Sequence, residues 1–326
     1  MRPYKAVLGA IALGLGVIST GVSAQTYPTK PITLIVPFSA GGPTDTVARS
    51  IAASMQDMLK QTVVVENVGG AGGTIGVGRG ARAEPDGYTI TMHHIGMSTA
   101  PTLYRKLAFD PLKDFEYIGL VADVPMTIIA RGNFPSNDLK DFLAYAKANH
   151  SKLSYANAGI GSASHLCGLM FMSALGVDFV TVPYKGTGPA MNDLLGGQVD
   201  FMCDQTTNTT SQIKAGKVKA YAVTTAKRVA SLPDLPTLQE GGMKGFEVGV
   251  WHGLYAPKGT PKPVMDKLVG ALQHALKDPA VKERFNSLGT APVSVEEGTP
   301  EALHKKLAAE IAKWAPVIKA AGQYAD

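Results

Sequence analysis

The nine residues Pro37-Phe38-Ser39-Ala40-Gly41-Gly42-Pro43-Thr44-Asp45 place hydroxyls, two glycines and one acid in a single turn. The chemistry open to such a turn is the holding of an anion. Glycine lets a ligand approach the main chain closely, and unpaired N–H groups at a helix start point outward, so negative charge is held without a charged side chain. An ordinary strand-to-helix loop uses the same residue types, and this segment alone leaves both readings open.

Three further segments share the character: Met92 to Thr99, Asn157 to His165, and Val182 to Ala190. If the four meet in one cleft, helix ends on both sides surround a ligand, and a carboxylate held by several backbone N–H groups needs no arginine. The candidate binding residues are Phe38, Ser39, Ala40, Gly41, Gly42, Pro43, Thr44 and Asp45, joined by His93, Asn157, Ala158, Gly161, Ser162, Tyr184, Thr187 and Asp204. His93 and His94 are adjacent and face opposite ways on a strand, so one meets the ligand while the other packs; His93 is the candidate. Asp204 follows a strand end, where it can bond amides across the cleft. His165 reads as a residue orienting its own turn, Lys185 as solvated, and Trp251 as core with a secondary place along the cleft.

Signatures of reactive chemistry are missing. The chain has no G-x-S-x-G elbow, no G-x-x-x-x-G-K-[ST] loop and no paired carboxylates at a strand end. Gly76-Val77-Gly78-Arg79-Gly80-Ala81 matches G-x-G-x-x-A, but it lies inside a predicted helix instead of opening one after a strand. No cofactor, metal or enzymatic activity is expected. Cys167 and Cys203 are the only cysteines, and two readings stand for them: a disulfide, if the chain is exported, or two free buried thiols.

The elements that must position these segments alternate. Strands are predicted at 32–36, 62–66, 88–93, 115–120, 125–130, 153–156, 179–183, 199–203, 218–224 and 248–256. Helices are predicted from Val47 through Leu59 and at 74–83, 138–148, 163–175, 189–195, 262–277, 279–288 and 300–320. Pro43 suits the first turn of the first helix, and Ser162 can cap the helix after it. This is the pattern of an α/β protein with largely parallel sheets, whose ligand crevice lies beyond the carboxyl ends of the strands.

Residues 1–24 read as an export signal: Arg2 and Lys5 precede an apolar stretch from Ala6 to Ile18, and Val22-Ser23-Ala24 offers a cleavage point. Losing those two charges lowers the formal +5 by two, to +3, too slight a surplus for nucleic acid or a membrane surface. A 326-residue chain that is 45% apolar can bury a large core split over two lobes. A soluble protein in a bacterial periplasm is expected.

Order and spacing carry a resemblance. Tyr27-Pro28 with Pro31-Ile32, Pro37-Phe38 with Gly41-Gly42 and Asp45, Val65-Glu66-Asn67 with the glycines at 69–73, and Pro85-Asp86-Gly87-Tyr88 follow one another. Gly161-Ser162 with His165-Leu166, Val182 to Gly186, Asp193 to Asp200 and Leu254 to Pro261 complete the series. Over residues 25–326 the chain resembles the solute-binding proteins of tripartite tricarboxylate transporters, the Bug family. The resemblance implies a type II-like Venus-flytrap fold with two doubly wound lobes, one of residues 25–125 and 225–326, the other of 126–224. It further implies a protein, expected as a monomer, that captures a small carboxylate by lobe closure and hands it to a membrane permease. A di- or aromatic carboxylate is expected because His93, Tyr184 and Trp251 can pack a flat ring while amide donors hold the carboxylates. The loop 38–45 would wrap the carboxylate through main-chain donors, with Asn157, Ala158, Gly161, Ser162, Thr187 and Asp204 contributed by the second lobe. A sensor feeding a membrane kinase would show the same binding chemistry, and an exported hydrolase is the remoter alternative. His93-His94, His252 and the two cysteines depart from the commoner family pattern, so the ligand is not inherited from relatives.

Overall fold

Val36 ends a run of β-branched residues, and in the computed structural model, which describes residues 27–322 with 324 and 325, that run is strand β1 (Ile32–Val36). The leader expected at 1–24 lies outside the described residues. From β1 the chain turns into α1 (Pro43–Leu59), which buries Val47, Ala48, Ile51, Met55 and Leu59 and takes Pro43 in its first turn, where the missing N–H costs nothing. There follow β2 (Val63–Asn67), α2 (Thr74–Ala81), β3 (Thr89–His94), α3 (Gly96–Leu103) and β4 (Phe115–Arg131). The middle of the chain forms α4 (Leu139–Asn149), β5 (Ser154–Asn157), α5 (Ala163–Leu175), β6 (Val180–Pro183), α6 (Thr187–Leu195), β7 (Phe201–Gln205), α7 (Thr206–Lys214) and β8 (Val218–Val223). Strand β9 (Gly249–Pro257) and helices α8 (Lys262–Lys277), α9 (Pro279–Ser287) and α10 (Pro300–Ala321) complete it.

The strands run β2-β1-β3-β9-β4-β7-β5-β6, with β8 also on β4. β1 is parallel to β2 and β3, and β5 to β6 and β7. Where β4 and β9 pass through the middle, every pairing is antiparallel, so the sheets are mixed and not largely parallel. β4 pairs with β9 as far as Pro125 and with β7 and β8 from Met126 onward. One strand thus serves both lobes of a two-lobed α/β fold. Thr224 pins the crossover, its N–H donating to Met126 O at 2.9 Å and its hydroxyl to Val248 O at 2.7 Å.

Three local expectations are corrected. The two strands predicted at 115–120 and 125–130 are one, because Pro125 sits where β4 changes partners and the absent N–H is not missed. In the segment 92–99, Met92, His93 and His94 are still strand β3 and Ile95 alone is a turn. From Gly96 the segment is α3, in which Met97, Ala100 and Leu103 are buried and the Ser98 hydroxyl donates back to Ile95 O. Helix α7 is unforeseen because Thr206-Thr207-Asn208-Thr209-Thr210 is poor helix sequence. Tertiary bonds override the propensity: Thr206 and Thr210 donate to Gly289 O and Leu288 O, and Thr209 accepts from Thr127.

The second lobe packs on aromatic rings. Phe142 stacks on Tyr221 at 4.3 Å between centroids, and Phe171, Phe179 and Phe201 close around them. Beside this cluster Cys167 of α5 and Cys203 of β7 form a disulfide.

Candidate functional site

Asp45 builds the first wall. Its carboxylate accepts from the Gly41 amide at 3.0 Å, Arg49 Nε at 3.0 Å and Asn67 Nδ2 at 2.9 Å, while Asn67 Nδ2 also donates to Phe38 O. Burial alone would raise the Asp45 carboxyl, but the Arg49, Gly41 and Asn67 donors outweigh it and hold it below the ordinary value. Asp45 and the Gly41 N–H are therefore spent on each other, and what they shape is the start of α1. Gly42 is its N-cap and offers no side chain, so the amides of Thr44 and Asp45 have no carbonyl four residues back. Gly41 has φ +78, the left-handed region that glycine adopts without strain.

The cavity between the lobes is nearly closed, with about 10 Å³ of free volume, and is lined by Phe38, Pro43, Thr44 and His94 on one side. Ala158, Ser162, Ala163, Ser164, Thr187, Asp204 and Gln205 line the other. Four helices start here: α1 at Pro43, α5 at Ala163, α6 at Thr187 and α7 just after Gln205. Each start carries partial positive charge, and among the described residues no lysine or arginine lines the space. Ser162 caps α5, accepting from the His165 amide at 3.2 Å.

Three buried histidines belong to the first wall, His94 lining the cavity and His93 and His252 behind it. The Gly96 amide donates to His94 Nδ1 at 3.0 Å, which puts the proton of the neutral ring on Nε2 as a donor. His252 Nδ1 lies 3.0 Å from Val250 O, so it donates there and its Nε2 accepts from the Thr44 hydroxyl at 3.3 Å. Burial holds His94 well below its usual value and lowers His93 to about 3 and His252 to about 4. His165, whose Nδ1 accepts from the Gly161 amide, is lowered by burial to about 4. All four are neutral at pH 7. Among the described residues no group of three or more His, Cys, Asp or Glu is placed to hold a metal ion.

On the second wall several buried polar atoms have no partner within the protein: Asn157 Nδ2, Thr187 Oγ1, Asp204 Oδ1 and Gln205 Oε1. Asp204 is 1% exposed, and its other oxygen accepts from Asn208 Nδ2 at 2.6 Å. Burial raises this carboxyl to about 6 against the opposing Asn208 donor.

Beside the cavity the lobes meet where first-lobe donors reach main-chain carbonyls of the second lobe. Ser39 donates to Lys185 O through both N–H and hydroxyl at 3.1 Å. Thr99 donates to Gly161 O at 3.1 Å and Tyr104 to Ile160 O at 2.8 Å. A Cβ on Gly72 would lie 1.8 Å from Ile160 O, and one on Gly188 2.8 Å from Ala40 O, so these contacts require glycine.

Of the residues expected at the site, Phe38, Pro43, Thr44, Ala158, Ser162, Thr187 and Asp204 line the cavity. Ser39, Ala40 and Gly161 lie at the lobe contact, Gly41, Gly42 and Asp45 shape the turn, and Asn157 stands beside Ala158, its Oδ1 accepting from the Gly159 amide at 2.8 Å. Two are displaced. His93 packs against Phe38 and Gly73 and it is His94 that lines the cavity. Tyr184 faces outward, its hydroxyl donated to Asp193 at 2.6 Å. Ser164 and Gln205 were missed; a hydroxyl two residues past a capping serine, and the residue after Asp204 at a strand end, were the available signals.

The chain is similar to known proteins over most of its length. The family described as "Tripartite tricarboxylate transporter family receptor" matches residues 47–323. The Agrobacterium vitis "UPF0065 protein in the TAR-I ttuE-ttuC' intergenic region" is 50% identical over 315 residues, 96% of this chain and 91% of that protein. The solved structure of the periplasmic binding protein BugD superposes with a TM-score of 0.90 at 61% identity, covering 91% of this chain and 99% of its own. MatC from Rhodopseudomonas palustris, solved with bound malate, gives 0.86 at 42% identity over 90% of this chain and all of its own (100%). The chain belongs to the tripartite tricarboxylate transporter receptors, the Bug-type solute-binding proteins.

Proposed function

We propose that this protein works in the periplasm as a monomeric receptor, closes on a compact carboxylate and passes it to the membrane permease of a tripartite tricarboxylate-type transporter. The hinged units are 25–125 with 225–326, and 126–224, joined where β4 leaves β9. One observation carries the reading: four helix starts meet at a cavity whose described lining holds no cation and includes Thr187, Asp204 and Gln205, each with an unpartnered buried polar atom. Unpaired buried polar atoms cost about 1–3 kcal/mol each, a cost that a hydrogen-bonding guest removes. Main-chain amides at the start of α1, with the His94 and Ser164 side chains, would hold one carboxylate, and Thr187, Asp204 and Gln205 would close over it. The neighbour that binds malate supports a small acid of this kind. An aromatic guest is disfavoured because Tyr184 faces outward and Trp251 lies in the core, leaving only Phe38 and His94 as flat walls.

The disulfide fits this reading. Cys167 lies one turn into α5 and Cys203 precedes Asp204, so the bridge holds the Ser162–Ser164 wall against the Asp204–Gln205 wall.

The test is a thermal-shift and calorimetric screen with malate, succinate, adipate, citrate and benzoate. A bound acid at 100 times its dissociation constant adds about 2.7 kcal/mol, and the acid is recovered unchanged. No stabilisation by any of them, or conversion of one to product, defeats the reading.

A further inference from the structure

Asp204 is an acid in the wall of a cavity built to receive an acid. Asp204 lines the cavity; its Oδ2 is occupied by Asn208, whereas its Oδ1 is buried and makes no hydrogen bond among the described residues. Two carboxylates cannot face each other at hydrogen-bond distance while both are ionised; one proton shared between them turns the repulsion into a short, strong bond. Resting on the carboxylate-receptor reading above, we infer that Asp204 binds its guest as the protonated acid, donating Oδ1–H to the ligand carboxylate, so that capture takes up one proton from solvent.

The surroundings permit this. Burial is the largest effect on the Asp204 carboxyl and raises it to about 6, prevailing over the neutral donors Asn208 on α7, the Gln205 amide and Thr187 on α6, which favour its ionised form. Thr127 of β4 spends its hydroxyl on Asp204 O and Thr209. Tyr155 of β5 is the titratable neighbour, a buried phenol bonded to Ser164 O that stays neutral. Across the cavity His94, and behind it His93 and His252, are held neutral, as is His165 on α5. No cation is at hand to compensate an ionised Asp204 once a second anion enters. The free carboxyl is mostly ionised at pH 7, and an adjacent anion raises it further, so the proton is gained on binding.

Calorimetry of malate, succinate and adipate, in buffers of differing ionisation heat, reads the proton directly. Uptake by the wild type approaches about one proton near pH 7, and affinity weakens by up to about tenfold per pH unit on going toward pH 8.5. In Asp204→Asn, which keeps a donor but cannot titrate, uptake disappears and the pH slope flattens, whatever its absolute affinity. A wild type that binds any of the three acids without proton uptake overturns the inference while leaving the receptor reading intact. So does a variant that keeps the uptake, because His94 would then carry the proton. Pairing of an ionised Asp204 with a ligand hydroxyl predicts pH-independent binding of malate with succinate rejected, and that pattern also overturns it. Should the variant not fold or bind, the wild-type slope decides alone. No binding of any acid at any pH removes the receptor reading, and the inference with it.

Discussion

The two walls of the cavity are built on opposite principles. On the first-lobe side the side chains that shape the turn are spent within the protein, Asp45 on Gly41, Arg49 and Asn67 and Thr44 on His252, while His94 accepts from Gly96 and keeps Nε2 as a donor. On the second-lobe side Asn157, Thr187, Asp204 and Gln205 each keep one buried atom unpaired. The first wall is a finished cradle whose shape precedes the ligand. The second is unfinished and stands to gain from a guest. Stability and affinity should therefore come apart: changes in the first wall cost both, and changes in the second cost affinity alone.

Acid gives the largest expected effect and acts on the first wall. Four buried histidines have folded values lowered beneath the ordinary 6.5, three of them in or directly behind that wall. Below pH 6.5 the unfolded chain binds protons the folded chain refuses, so stability is present above that pH and is lost as it falls toward 4. Asp204 opposes this with one proton, since its raised carboxyl favours the folded state at low pH. Three net protons give a slope of roughly 4 kcal/mol per pH unit near pH 5. Denaturant titrations at several pH values should show it, and a flat profile between pH 6.5 and about 4.5 would deny that these histidines are buried and neutral.

Asp45→Ala comes next. Removing a carboxylate that organises three donors should cost about 3 kcal/mol of apo stability, with loss of ligand-induced stabilisation as the turn relaxes. Urea midpoints with and without malate check both halves. If the apo midpoint is unchanged while binding is lost, Asp45 belongs to the ligand and not to the cradle.

How much of this was legible in the residues follows the same divide. The first wall is local: a β-branched run, Pro43 at a helix start and a glycine pair lie within thirteen residues of chain, and each signal acts where it stands. The Ser162 cap was legible for the same reason. Long-range contacts decided the rest. Alternation places His93 and His94 on opposite faces without saying which face meets the cleft, and the packing of Phe38 chose His94. Tyr184 found Asp193 on the helix that follows it. Helix α7 exists because its threonines bond Leu288, Gly289 and Thr127, residues remote in sequence. Nothing in the residues between Ala122 and Met126 announces that one strand continues through Pro125 from one sheet to the other.

Thr187→Val separates the walls most sharply, though its effect is the smallest. The substitution keeps volume and branching but removes a buried hydroxyl that has no partner in the protein. Deleting an unsatisfied polar atom relieves a desolvation cost, so the apo protein should be as stable as the wild type or up to about 1 kcal/mol more so. Binding moves the other way, because the ligand loses a hydrogen bond worth about 1 kcal/mol, close to a fivefold to tenfold rise in the dissociation constant. A urea midpoint held or raised, beside a weakened calorimetric affinity, is the signature of an unfinished wall. A lowered midpoint with unchanged affinity would mean that this hydroxyl serves the fold, and that the two walls are built alike.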